Sequence, residues 1–134
     1  MRVLALDYGS ARCGCAVCDP TQTIVTPIEH ILAPGTRRGL GRIAALVAER
    51  EVGRVVVGLP VSLRGGDSAQ TGEARDFAAR LARRLGEEVA VELYDERLTT
   101  RLAQRDESTR TSEDSRAAAH LLSSWLQAQR SASR

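Results

Sequence analysis

The stretch Val3-Leu4-Ala5-Leu6-Asp7-Tyr8-Gly9-Ser10 decides the fold. Four apolar residues with no polar break read as a central strand covered on both faces. Asp7 closes that run. A carboxylate at the end of a buried strand is costly unless a cation, hydrogen-bond donors or water meet it. Gly9 lets the backbone turn and lets a ligand come close. The plainer account of Asp7 is a carboxylate that caps a turn.

Residues 11–18 and 22–29 read as two further strands, joined by the turn chemistry of Asp19-Pro20-Thr21. The first three strands then form an antiparallel meander. Ala33-Pro34-Gly35 is a loop. Residues 38–50 place Leu40, Ile43, Ala44, Leu46 and Val47 on one helical stripe. Residues 54–58 form a β-branched strand, and residues 59–67 a loop. Residues 70–85 keep helical spacing through Ala74, Phe77, Ala78, Leu81 and Leu85, and Gly86 ends them. Residues 89–94 alternate as a strand. Thr99-Thr100 cap a short helix ending near 106, and residues 106–112 are polar. Residues 113–128 form the last helix. The order βββαβαβα predicts a five-stranded mixed α/β sheet, antiparallel then parallel, with helices on both faces. One domain spans 1–128, and 129–134 read as a flexible tail.

Composition sets the outer limits. A chain of 134 residues holds one ordinary domain. Apolar residues are 43% and aromatics 3%, so Leu, Val, Ile and Ala must fill the core. All 19 basic side chains are Arg; a coding bias explains that, although Arg is also the better bidentate partner for phosphate. No run of 18 apolar residues suggests a membrane span, and the apolar start is too short for a signal peptide, so the cytoplasm is the default.

Three acids stand at element ends. Asp95-Glu96-Arg97 follows the last strand, where parallel strands present their C-terminal ends to a common crevice. Alternation sends Asp95 and Glu96 opposite ways, so only one faces such a crevice. A surface charge cluster is the alternative. Asp114 lies three and four residues before Ala117 and Ala118, on the buried stripe of the last helix with Leu121, Leu122 and Trp125. Helix capping explains Glu113 well and Asp114 less well. Asp7, one of Asp95 and Glu96, and Asp114 together suit oxygen-loving cations, Mg²⁺ or Mn²⁺. Two such ions can activate a water and stabilise the leaving oxygen of a phosphodiester.

These segments together resemble the YqgF family of the RuvC and ribonuclease-H-like superfamily. Four stretches carry the resemblance: Leu4-Ala5-Leu6-Asp7-Tyr8-Gly9 with Arg12 and Gly14; Val56-Val57-Gly58-Leu59-Pro60 with Leu63 and Gly65; Asp95-Glu96-Arg97-Leu98-Thr99-Thr100; and Asp114-Ser115-Arg116-Ala117-Ala118 with Leu121-Leu122. It covers about residues 3–126. It implies a ribonuclease-H-like, metal-dependent nuclease with catalytic and metal-binding acids at Asp7, Glu96 and Asp114. The implied role is 5′-end processing of pre-16S rRNA, or cutting of branched or single-stranded DNA as a Holliday junction resolvase does. Products would carry a 5′-phosphate and a 3′-hydroxyl. Arg12, Arg97, Thr99 and Thr100 match family positions near the site and read as phosphate contacts, and Arg64 lies in a substrate-side loop. A resolvase would be a homodimer; an RNA-trimming enzyme can act as a monomer.

The chain departs from the family pattern at Arg116, which is expected to extend toward solvent, and at Cys13, Cys15 and Cys18. Alternation puts Cys13 and Cys15 on one face and Cys18 on the other, which argues against zinc and for small core residues. His30 and His120 are lone and carry no expected role. Two other readings remain. Asp7-Tyr8-Gly9-Ser10 also resembles the first phosphate loop of sugar kinases and actin-like proteins, but those need two such domains. A nucleic-acid-binding module without catalysis is the other; keeping all three acids argues against it.

Overall fold

The computed structural model describes residues 1–60, 69–98 and 113–132. Strands β1 (Arg2–Asp7), β2 (Arg12–Cys18) and β3 (Val25–Leu32) are followed by α1 (Arg37–Glu49), β4 (Val52–Leu59), α2 (Ala69–Leu85), β5 (Ala90–Asp95), a 3₁₀ turn (Glu96–Leu98) and α3 (Glu113–Ala132). The sheet order is β3-β2-β1-β4-β5. β2 pairs antiparallel with β1 and β3, whereas β1–β4 and β4–β5 are parallel. The expected element order and the mixed sheet are therefore present.

Each face of the sheet carries its own core. Leu4, Leu6, Cys13, Cys15, Val55 and Val57 pack on one side against Leu40, Ile43, Phe77 and Leu81 of α1 and α2. Val3, Ala5, Ala16, Cys18 and Val56 pack on the other against Ala118, Leu121, Leu122 and Trp125 of α3. The three cysteines are free and buried, with Cys18 on the face opposite Cys13 and Cys15, as alternation requires.

Most boundaries move by one or two residues, and those of the third strand and the last helix by three or four. The third strand starts at Val25, not 22, because the turn is longer than Asp19-Pro20-Thr21. The Asp19 carboxylate accepts the Thr21 hydroxyl and the amides of Thr23 (2.8 Å) and Ile24 (2.7 Å), and Gln22 has φ 61°. This knot holds residues 19–24 out of the ladder. The last helix runs on to Ala132, so residues 129–132 are helical where a tail was expected. Arg130 Nη2 donates to the Gln22 carbonyl at 2.7 Å and ties that end down. The short helix expected after Thr99 lies outside the described residues, as does the loop at 61–67. Among the described residues no helix is long and apolar enough to cross a membrane.

α1 is capped by Thr36, whose Oγ1 accepts the Gly39 amide at 3.0 Å. Gly39 itself is packed against backbone. A Cβ there would lie 2.2 Å from the Ala33 oxygen and 2.7 Å from Pro34 Cα.

Two outcomes follow from these contacts. Glycine to alanine inside a helix usually stabilises by up to about 1 kcal/mol. Gly39→Ala should instead destabilise by roughly 2 kcal/mol, since the added methyl meets backbone that cannot step aside; urea unfolding measures the sign. Hydrogen bonds, the Thr21 hydroxyl first and then the Ile24 amide, hold the Asp19 carboxyl down to about 2 from 3.8. A depressed carboxyl stabilises the fold above its ordinary value and loses that contribution as pH falls through the folded value. Wild type should therefore lose stability between pH 3.8 and about 2, and thermal melts of Asp19→Asn should lack that component.

Candidate active site

The acids lie at one end of the sheet, where β1, β4 and β5 finish. Ala5 and Val56 face α3. Alternation puts Asp7 and Gly58, each two residues further on, on that same face. Leu6 pairs with Val57, so Asp7 and Gly58 stand side by side at the strand ends. β5 lies one strand beyond, about 10 Å from β1 at ordinary strand spacing.

Glu96 reaches back over β4, the strand between. A Cβ on Gly58 would lie 2.7 Å from Glu96 Oε1, 3.2 Å from Glu96 Cγ and 3.1 Å from Leu121 Cδ2. The Glu96 side chain thus lies across the bare backbone of β4, under α3, on the side of Asp7. Both carboxylates are half-buried.

The choice between Asp95 and Glu96 is made by a local pair. Asp95 takes the Arg97 amide (2.8 Å), Arg97 Nε (3.0 Å to Oδ2) and Arg97 Nη2 (2.7 Å). Its carboxyl is held below its ordinary value by the Arg97 side-chain hydrogen bonds, and the Arg97 guanidinium is held above its own by Asp95. Asp95 is turned onto Arg97, and Glu96 is the acid over Gly58. Arg97 was expected to contact phosphate; here its Nε and Nη2 are engaged by Asp95.

The third expected acid, Asp114, is the second residue of α3. Cys15 is opposite Leu6 in the β1–β2 pair, and its amide donates to Ser115 Oγ at 3.3 Å. Ser115 is fully buried. That bond fixes the first turn of α3, which contains Asp114, at the level of Leu6 and Asp7. The Asp114 side chain lies outside the described residues. Among the described residues no group of three His, Cys, Asp or Glu is placed to hold a metal ion. Of the three expected acids, Asp7 and Glu96 are the two whose described side chains lie at the strand ends on one face.

Arg12 opens β2 two residues before Gly14, the partner of Asp7, and alternation gives it the same face. It is exposed. Its carbonyl would lie 2.6 Å from a Cβ on Gly9, so only glycine fits the turn after Tyr8. Arg64, Thr99 and Thr100 lie outside the described residues. Arg116 is half-buried with its Nε out of water, rather than extended to solvent. Sequence reasoning gave no role to Gly58 or Ser115. The signal for Ser115 was a polar residue three before Ala118, on the buried stripe.

A five-stranded mixed sheet with carboxylates at the ends of its first and last strands is the ribonuclease-H-like arrangement. Solved structures with the same fold include Thermus thermophilus RuvC (TM-score 0.59, 18% identity, covering 98% of this chain and 97% of that one) and T. thermophilus RuvC in complex with Holliday junction substrate (TM-score 0.58, 18% identity, 96% and 95%). Identity that low speaks for the fold alone. Residues 1–128 match the family described as "RuvX: Holliday junction resolvase", and the chain belongs to that family, the YqgF family of the sequence reading. Relatives named "Putative pre-16S rRNA nuclease" include one from Anaeromyxobacter sp. (strain Fw109-5), 41% identical over 134 residues, covering 94% of this chain and 96% of the relative. Another, from Mycobacterium tuberculosis (strain ATCC 25618 / H37Rv), is 44% identical over 135 residues, covering 93% and 78%.

Gly58 supplies a test of the Glu96 placement. Gly58→Ala puts a methyl where the Glu96 carboxylate lies, and the flexible side chain must swing away. Cleavage should fall at least tenfold, beyond any loss of folded protein from the 3.1 Å contact with buried Leu121, which the unfolding midpoint reads; equal activity in Gly58→Ala would refute the placement.

Proposed function

We propose that this protein is a metal-dependent nuclease that hydrolyses phosphodiester bonds, acting in 5′-end processing of pre-16S rRNA. The observation that carries the reading is Glu96 laid over Gly58 beside Asp7, at the strand ends of a chain belonging to this family. The names of the relatives favour the ribosomal RNA substrate.

Asp7, Glu96 and Asp114 would hold the divalent ions, Mg²⁺ or Mn²⁺, which when bound activate a water and stabilise the departing oxygen. The donor set fits: carboxylate oxygens are the ligands these hard cations prefer. The chain's own residues do the rest. Gly58 keeps β4 bare, so that Glu96 can lie across it. Ser115 fixes the first turn of α3 against β2. Arg12 stands at the rim as a phosphate contact, and Arg64, Thr99 and Thr100 are assigned the same role. Arg97 is a weaker candidate than the sequence suggested, since a phosphate must compete with Asp95. Water adds to phosphorus, the P–O3′ bond breaks, and the products are a 5′-phosphate and a 3′-hydroxyl. The protein works in the cytoplasm, as a monomer or a homodimer.

Cutting of branched DNA is the second reading, favoured by the family description. The deciding experiment incubates the protein with labelled single-stranded RNA, single-stranded DNA and a four-way junction, with Mn²⁺ or EDTA. Metal-dependent cleavage is expected, strongest on RNA, and Asp7→Asn should lower it by at least 10²-fold without unfolding the protein. Preference for the junction would move the assignment to a resolvase. Binding without cleavage of any substrate would leave a non-catalytic module.

A further inference from the structure

The helical layer opposite the acids carries a cluster of arginines, with Glu73 and Asp76 of α2 near Arg80 at its Tyr8 edge. α1 has Arg37, Arg38 and Arg42 in its first half, and no acid from residue 33 to 48. α2 has Arg80, Arg83 and Arg84 in its last half. The two halves lie together: a Cβ on Gly41 would be 3.7 Å from Arg84 Nη2, and one on Gly35 would be 3.8 Å from Arg80 Nη1. Arg37, Arg38, Arg42, Arg83 and Arg84 are exposed and Arg80 is half-buried. Among the described residues none of the six makes an ion pair or a hydrogen bond.

Stability does not account for the group. Like charges gathered on one surface repel. Arg83 and Arg84 do suit the C-terminal end of α2, but Arg37 and Arg38 occupy the first turn of α1, where the helix dipole favours acids. That turn holds no acid. Arg38 and Arg42 are one turn apart, about 6 Å along the axis. Gly41 between them leaves the surface flat, with the Arg84 guanidinium lying beside it. Such a face fits a polyanion whose charges repeat along a line.

The face also has the right place. The Ala33 amide donates to the Ala11 carbonyl at 2.9 Å, and the Gly35 Cβ position is 3.4 Å from Tyr8 Oη. The start of α1 is therefore joined to the turn that follows Asp7. Arg80 stands at this rim, with Glu73 and Asp76 also near Tyr8, and the first turn of α1 with Arg37 and Arg38 follows Gly35 directly.

We propose that the α1/α2 arginine face binds the phosphate backbone of the substrate's helical flank, away from the bond that is cut. The proposal rests on the nuclease reading and adds to it a second contact surface, one that selects substrates with a duplex beside the cleavage site.

The test compares wild type with R38Q/R42Q/R84Q, and with R38K/R42K/R84K, which keeps the charge. Binding to an RNA hairpin carrying a single-stranded extension is measured by anisotropy across a salt series. Cleavage is measured on that hairpin and on a single-stranded oligonucleotide of about six residues, too short to reach the face. The glutamine variant should bind the hairpin about tenfold more weakly or worse, with a log–log salt slope shallower by about 2 to 3. It should cut the short oligonucleotide at the wild-type rate and melt no lower than wild type, and the lysine variant should keep the salt slope. Unchanged hairpin affinity and slope in the glutamine variant, with wild type cutting both substrates, would overturn this proposal alone. Wild type that neither binds nor cuts would remove both readings.

Discussion

Val3, Leu4, Ala5 and Leu6 of β1 and Val55, Val56 and Val57 of β4 are all fully buried. Two adjacent strands without a wet face require a layer on each side, and α1 with α2 on one side and α3 on the other supply it. Each of these side chains is worth about 1.5–3 kcal/mol for the larger apolar residues. A charge anywhere along the pair would forfeit that and add its own desolvation cost. The acids can therefore stand only where the strands end. Asp7 does so on β1, and Glu96 does so one residue after β5.

How near α3 comes to the sheet depends on small residues. Ala5, Ala16 and Ala118 are fully buried between them. With methyl groups at the contact, Ser115 can reach the Cys15 amide. That bond satisfies a buried donor that would otherwise cost about 1–3 kcal/mol, and it sets the height of the helix. The position of Asp114 on the chain is thus a consequence of packing further along: the stripe Ala118, Leu121, Leu122 and Trp125 chooses the face, and Ser115 chooses the level. Gly58 contributes in a similar way on β4, where the absence of a side chain gives Glu96 its path.

The strands and helices were legible because their patterns are strong. β1 and β4 are unbroken apolar runs, and α1, α2 and α3 keep regular stripes. The start of β3 was missed by three residues because Asp19 gathers Thr21, Thr23 and Ile24 into a longer turn, and side-chain hydrogen bonds of that kind leave little trace in a periodic pattern. The end of α3 was missed because its last turn is polar and is held by one arginine reaching Gln22, a contact 108 residues away in sequence. At the site, alternation limited the choice to Asp95 or Glu96 but could not make it. That depended on Arg97 folding back on Asp95, and on which strand lay between β1 and β5. The arginine face was invisible as a run, since it is assembled from two helices separated by β4.

Net charge hides this division. The chain carries only +2 overall, yet Asp7 and Glu96 stand at the strand ends on the α3 side while six arginines of α1 and α2 stand on the helical layer behind. The two belong together if one polyanion must be met twice. A pair of acids at the strand ends repels an unaccompanied phosphate backbone, so the approach of a nucleic acid to Asp7 and Glu96 depends on attraction exerted elsewhere. Counter-charge beside the acids would weaken the site itself by drawing their carboxylates into ion pairs, as Arg97 does to Asp95. Placing it across the rim, on a separate layer, adds attraction to what Arg12 supplies on the Asp7 face without bringing a further cation against Glu96.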